Sequence, residues 1–171
     1  MSLPWNLTAD GLPCITLIKD ATDRAMTVNQ LRKLGFYIER LCKVRLLKHT
    51  QDSTLELFKK GDPITWSQIN LYDITDEIFK LLIPFLLIKA GNHSKNKGCS
   101  WTELVASSPQ PPEIMFSHTW SGQFCDMMCV SNLLVEDTKL NVNTPIYIFT
   151  MTDNQISGKV LGETVANFQF T

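Results

Sequence analysis

The chain contains no C-x-x-C pair, and its five cysteines (Cys14, Cys42, Cys99, Cys125 and Cys129) are odd in number and far apart. That distribution fits neither a disulfide framework nor a zinc knuckle, and points to reduced thiols in an intracellular compartment. There is no phosphate loop, no G-x-G-x-x-G, no H-E-x-x-H and no G-x-S-x-G elbow. The common signatures of nucleotide, zinc-peptidase and serine-hydrolase chemistry are therefore missing. Long apolar runs are missing as well. The greasiest segment, residues 78–88, has eleven residues and is interrupted by Lys80 and Pro84, short of the roughly 20 that a spanning helix needs. The opening MSLPWNLTADGLP lacks the basic start and apolar core of a signal peptide, so a cytoplasmic location is expected. A formal charge of −1 gives no electrostatic reason to expect nucleic-acid or membrane binding.

What is present is a globular balance, 44% apolar and 19% charged over 171 residues. That is enough for one ordinary domain, or a helical region attached to part of a second. The charges are unevenly placed. Residues 19–62 hold ten Lys/Arg against six Asp/Glu, and residues 101–171 hold two against seven. A basic front and an acidic back suit two modules that face each other, or simply two differently solvated surfaces. The cluster Arg40, Lys43, Arg45 and Lys48 has no interleaved aromatic platform, and a solvated face accounts for it better than RNA binding.

Pro4, Gly11 and Pro13 break up the first 26 residues, where CITLI is at best a short strand. Thr27-x-x-Gln30 has the form of a capping box, and Val28, Leu31, Leu34, Ile38, Leu41 and Cys42 then recur on one helical face. Beyond the turn KKGDP, Leu71, Ile74, Ile78, Leu81 and Leu82 repeat the pattern, until Pro84 should kink or end that helix. Residues 90–98 read as an exposed loop, and Ser100-x-x-Glu103 caps a short helix. Three prolines in SSPQPP, residues 107–112, mark a hinge between a mainly helical module, 1–106, and an α/β module, 113–171. In the second module Ile114, Met115 and Phe116 form a short buried strand. A helix follows with Phe124, Met127, Met128, Leu134 and Val135 inward, then a second strand over 146–151. Strand, helix and strand in about forty residues predict a βαβ unit with parallel strands and a right-handed crossover. One such unit needs further cover: either the N-terminal helices supply it, or the chain holds the front half of a longer α/β domain. The second option is favoured.

Ligands of parallel sheets bind beyond the carboxyl ends of the strands. The candidate binding residues are therefore Ser117, His118, Trp120, Ser121 and Gly122 after the first strand, and Asp153, Asn154 and Gln155 after the second. The helix start near Gly122 would offer backbone donors to an anion. His118 can exchange a proton near neutral pH, or can serve only to tie loops together. Trp120 can stack on a base or cover the sheet end; Asp153 and Asn154 can hold ribose hydroxyls or form a plain turn. A triad of Ser117 or Ser121 with His118 and Asp153 is disfavoured, because adjacent strand residues point to opposite faces. Cys125 and Cys129 lie four apart but lack further metal ligands, so core packing is expected and no metal site is assigned.

The stretch CSWTELVASSPQPPEIMFSHTWSGQFCDMM…TPIYIFTMTDNQ resembles a group of TIR-like domains found in protist proteins, dinoflagellates and other algae among them. In that group a CS-x-x-ELV-x-x-x-PQ-PP leader runs into a strand ending F-x-SH-x-W, and a later strand ends in an N-Q loop. The likeness covers residues 66–156, most specifically 99–125. It implies a flavodoxin-like parallel sheet preceded by a helical leader, protein–protein assembly in signalling, and NAD or another nucleotide as ligand. The group has a second tryptophan where Thr119 stands and a glycine where Ser121 stands. Tryptophan and cysteine are common where Tyr147 and Phe149 lie. NAD-cleaving members carry a catalytic glutamate in a later W-C-x-x-E-like segment; residues 157–171 do not match it, and Glu163 comes too early. The leading expectation is thus an assembly module, homo- or hetero-oligomeric. The alternatives are part of an NAD nucleosidase whose catalytic segment lies outside this chain, and a helical adaptor whose βαβ unit is only structural.

Overall fold

Helix α1 (Val28–Lys43) begins where the sequence places it. Thr27 Oγ1 accepts from the Gln30 amide at 3.1 Å, and Gln30 Oε1 accepts from the Thr27 amide at 2.9 Å, closing the capping box. Val28, Leu31, Leu34, Ile38 and Cys42 are buried along one side. The computed structural model describes residues 3–50, 52, 57–89, 99–152 and 155–160; the loop read at 90–98 lies outside them. No described helix is long and apolar enough to cross a membrane.

Three more α-helices precede the βαβ unit in the described residues. Helix α2 (Leu71–Ile74) passes through a wide π turn, Thr75–Phe79, into α3 (Lys80–Lys89), and α4 (Trp101–Val105) starts at a second capping box, Ser100 with Glu103. Pro84 lies inside α3 and does not end it. The expected inward set is also only partly right. Leu71, Ile74 and Ile78 are buried, but so is Phe79 at the end of the π turn, and beyond it the buried positions among the described side chains, which do not include that of Leu81, are Ile83, Leu86 and Leu87. A π turn takes up one extra residue, which rotates everything downstream by about 100°. Leu82 is left half-buried and Phe85 is 54% exposed.

The sheet contains β1 (Met26–Thr27), β2 (Ile114–Thr119), β3 (Pro145–Thr152) and β4 (Gln155–Val160). Helix α5 (Phe124–Thr138) connects β2 to β3. These two strands are parallel, Ile114 beside Ile146 through Thr119 beside Met151, as a βαβ unit requires. The sheet as a whole is mixed, however, not parallel. On the other edge of β3, β1 pairs antiparallel with its start and β4 antiparallel with its end. Residues 14–18 form no strand. The protein is an α/β structure with a small mixed sheet.

One hydrophobic core runs from Met26 to Ile146 and takes in α1, the α2–α3 helix, α4 and α5. Helices α1 and α5 touch closely: a Cβ added to Gly35 would sit 2.8 Å from Met128 Cε. The Pro-rich stretch is fastened at Gln110, whose amide pairs reciprocally with that of Gln30 at 3.0 and 2.9 Å. The Gln110 backbone bonds Asp23 and Ala25 as well. Glu103, 3% exposed, holds the N-terminal arm: its carboxylate accepts from the Ile18 and Ser100 amides and lies 3.7 Å from Arg24. Two losses should therefore differ in size. Thr27→Ala removes one helix cap and should cost about 1 kcal/mol, whereas Glu103→Ala leaves the buried Ile18 and Ser100 amides without an acceptor and should cost more, about 2–5 kcal/mol. Urea unfolding of both variants measures the ranking.

Candidate functional site

The parallel register sets His118 beside Thr150, so the loops after β2 and β3 leave the same end of the sheet. Asp153 and Asn154 lie outside the described residues, and Gln155 opens β4 with its backbone opposite Thr152. Along β2 the side chains alternate. Met115, Ser117 and Thr119 are exposed on one face, while Ile114, Phe116 and His118 are half-buried on the face turned to the core. Ser117 and His118 therefore act on opposite sides of the sheet. Ser121 is exposed on the turn that follows.

The turn is tight. The Gly122 amide donates to the Thr119 carbonyl at 3.2 Å, and the His118 ring contacts the Gly122 carbonyl through Nε2 at 3.3 Å. Because a carbonyl only accepts, Nε2 carries the proton and donates it. A Cβ at Gly122 would meet Thr119 Oγ1 at 2.7 Å and His118 Cε1 at 2.8 Å, so a glycine is needed here for space. Burial pushes the His118 pKa below the ordinary 6.5; the Gly122 bond and the Asp126 carboxylate oppose it less strongly. His118 is a neutral imidazole that closes its own loop.

Trp120 is not presented at the rim. It is 7% exposed and belongs to the core, with its ring 5.2 Å from that of Tyr72. The segment before α2 lies across the junction. The Leu71 amide donates to the Trp120 carbonyl at 3.2 Å, and the Phe124 amide donates to the Ile69 carbonyl at 2.8 Å. Trp66 packs edge-on against Phe124, centroids 5.8 Å apart. The amides of Asp126 and Met127 both turn to the Gln123 carbonyl. With these donors engaged and Asp126 exposed in the first turn, the start of α5 offers an anion little.

A second group of polar side chains, unmarked in the sequence pattern, gathers at the start of α2. Asp73 (4% exposed) closes a capping box with Asn70. Its carboxyl is pushed up by burial, against the opposing pull of Asn70, His49 and Thr50. His49 (3% exposed) stacks on Phe58 at 3.6 Å, and its Nε2 has no hydrogen-bond partner. Nearby Cys42 is raised to about 11, by burial first and then by Asp73 and Glu39; Cys99 is raised to about 12, again chiefly by burial. Both thiols stay protonated at neutral pH and are poor nucleophiles. Among the described residues no cluster of His, Cys, Asp or Glu could hold a metal ion.

Fold and junction together define a small α/β protein with a βαβ unit whose strand-to-helix turn is strapped by a second helix start. Comparison with known proteins gives no matching family model, curated protein or solved structure.

The depressed pKa of His118 fixes the sign of a pH effect. The unfolded imidazole takes up its proton near 6.5 and the folded one only at lower pH, so the unfolded state binds more protons between those values. The His118 contribution is intact above 6.5 and is lost as pH falls through the folded value. His118→Gln keeps an N–H donor and does not titrate. Its stability should fall less than that of the wild type on acidification, and the two profiles should run parallel above neutrality, as followed by urea unfolding across pH.

Proposed function

We propose that the chain is a TIR-like signalling module that works by protein–protein assembly, with the outer edge of β2 as one of its contact surfaces. The observation that carries this reading is the edge itself. β2 pairs with β3 on one side and, among the described residues, with no strand on the other. Met115 on this edge strand is 63% exposed. An unpaired strand edge with an apolar side chain is a ready template for a further strand. The flavodoxin-like form of the sheet belongs to the same reading: in that strand order the first strand of the βαβ unit lies between the second and the third, and the free side of β2 is where a third would add. The βαβ unit itself supports the likeness.

The NAD-cleaving alternative rests on the two loops that share one end of the sheet. The buried Trp120 ring and the occupied amides at the start of α5 weigh against it. A direct comparison separates the two. The full chain should associate with rising concentration in light scattering. Met115→Lys, which puts a charge on the edge without touching the core, should raise the half-association concentration by about tenfold or more. Incubation with NAD should release no nicotinamide. A strict monomer at all concentrations, or steady nicotinamide release that His118→Gln abolishes, would overturn the reading.

A further inference from the structure

Away from the sheet, α1 and α3 border a surface groove of ≈ 400 Å³ lined by Tyr37, Leu41, Leu46, Ile78, Leu82 and Phe85. Its apolar walls are open to water: Leu46 is 65% exposed and Phe85 54%. The groove follows from the π turn, which leaves Leu82 half-buried at the edge of the core and turns Phe85 toward water. The surroundings are basic. Arg40 precedes Leu41 on α1, Arg45 and Lys48 flank the Leu46 wall, and Lys89 Nζ lies 5.4 Å from the Phe85 ring centroid. All four are exposed. Among the described residues the ion pairs are Arg24–Glu103, Lys43–Glu39 and Lys80–Asp76, so none of these four cations is paired.

The complementary surface is on α5. Asp126, Val130, Leu133 and Asp137 form an i, i+4, i+7, i+11 stripe along its outer face, with Glu136 beside it. All are exposed, Val130 at 46% and Leu133 at 49%, and the stripe holds no basic residue. We propose that this acidic, apolar stripe of one copy docks in the basic, apolar groove of a second copy. Both size and sign match: two aliphatic side chains enter the groove while three carboxylates meet four unpaired cations. The same molecule cannot make the contact, because α5 is held at its ends by β2 and β3 and its inner face packs on α1. The contact is head-to-tail, so each added copy carries a free groove and a free stripe, and growth ends only by ring closure or runs on as a filament. The proposal rests on the assembly reading but uses a surface other than the β2 edge.

The test is made on the full-length Met115→Lys chain, where the edge is blocked. That chain should still associate, and should lose at least about tenfold in affinity as salt rises from about 0.1 M to about 1 M, where screening shortens from about 10 Å to about 3 Å. Adding Leu46→Glu or Leu133→Lys should abolish association; both positions are exposed, so folding should survive and a cooperative melt checks it. Mixing the two double variants should restore a one-to-one heterodimer, because each still carries one intact surface. Charge reversals Arg40→Glu and Glu136→Lys give a second pair that leaves the apolar side chains in place and should behave the same way. Association of Met115→Lys that survives all of these changes, or a monomeric Met115→Lys chain, would overturn the groove contact. In the latter case a wild type that still associates leaves the edge reading standing.

Discussion

Two backbone hydrogen bonds, Leu71 amide to Trp120 carbonyl and Phe124 amide to Ile69 carbonyl, decide what this protein's most chemical-looking stretch can do. Each contributes only about 0.5–1.5 kcal/mol net, yet together they lay the start of α2 across the β2–α5 junction. Trp120 is thereby drawn into the core beside Tyr72, and Trp66 is set against Phe124. The first free donor of α5 is used up. His118 completes the joint by donating to Gly122, in a turn where a Cβ at 122 would push on the His118 and Thr119 side chains. A histidine, three hydroxyls and a tryptophan at a strand end look like a reaction site in sequence. In three dimensions their roles diverge: the ring of Trp120 packs, His118 closes a turn, and Ser117 faces solvent on the opposite side of the strand.

The same strap explains the surface. Because α2 is anchored at Asn70 by a capping box, its register is fixed from its first residue, and the π turn at Thr75–Phe79 shifts everything after it. Phe79 thereby reaches the Trp101 ring at 5.4 Å, while Leu82 and Phe85 turn outward to border the groove. A single wide turn thus exchanges one set of buried side chains for another and leaves an apolar opening among lysines and arginines.

Much of this was legible in the sequence where the signal is local. Thr27 with Gln30 and Ser100 with Glu103 cap helices as their spacing indicates, because a capping box involves only four residues. The βαβ unit was legible from the change of hydrophobic period. What could not be read depends on partners far along the chain. The two residues of β1 carry no periodicity of their own and become a strand only through Ile146 and Pro145. Nothing in the hydrophobic pattern of residues 155–160 marks the antiparallel pairing of β4 with β3, so the expectation of a purely parallel sheet failed there. Pro84 stays helical within a segment buried against the core, where packing outweighs local preference. The burial of Trp120 requires Ile69 and Leu71, about fifty residues earlier. His49 and Asp73 lie more than twenty residues apart in stretches without a motif, and only folding brings His49 near the start of α2.

The junction after β2 is a closed structural joint, and on the proposed reading the protein works through its outer surfaces. Amide hydrogen exchange tests it at two residues. The Leu71 and Phe124 amides should be protected as strongly as the buried amides of α1, with no change on adding NAD. Rapid exchange at those two amides, or protection that appears only when NAD is present, would show an open junction that a ligand fills and would contradict the account.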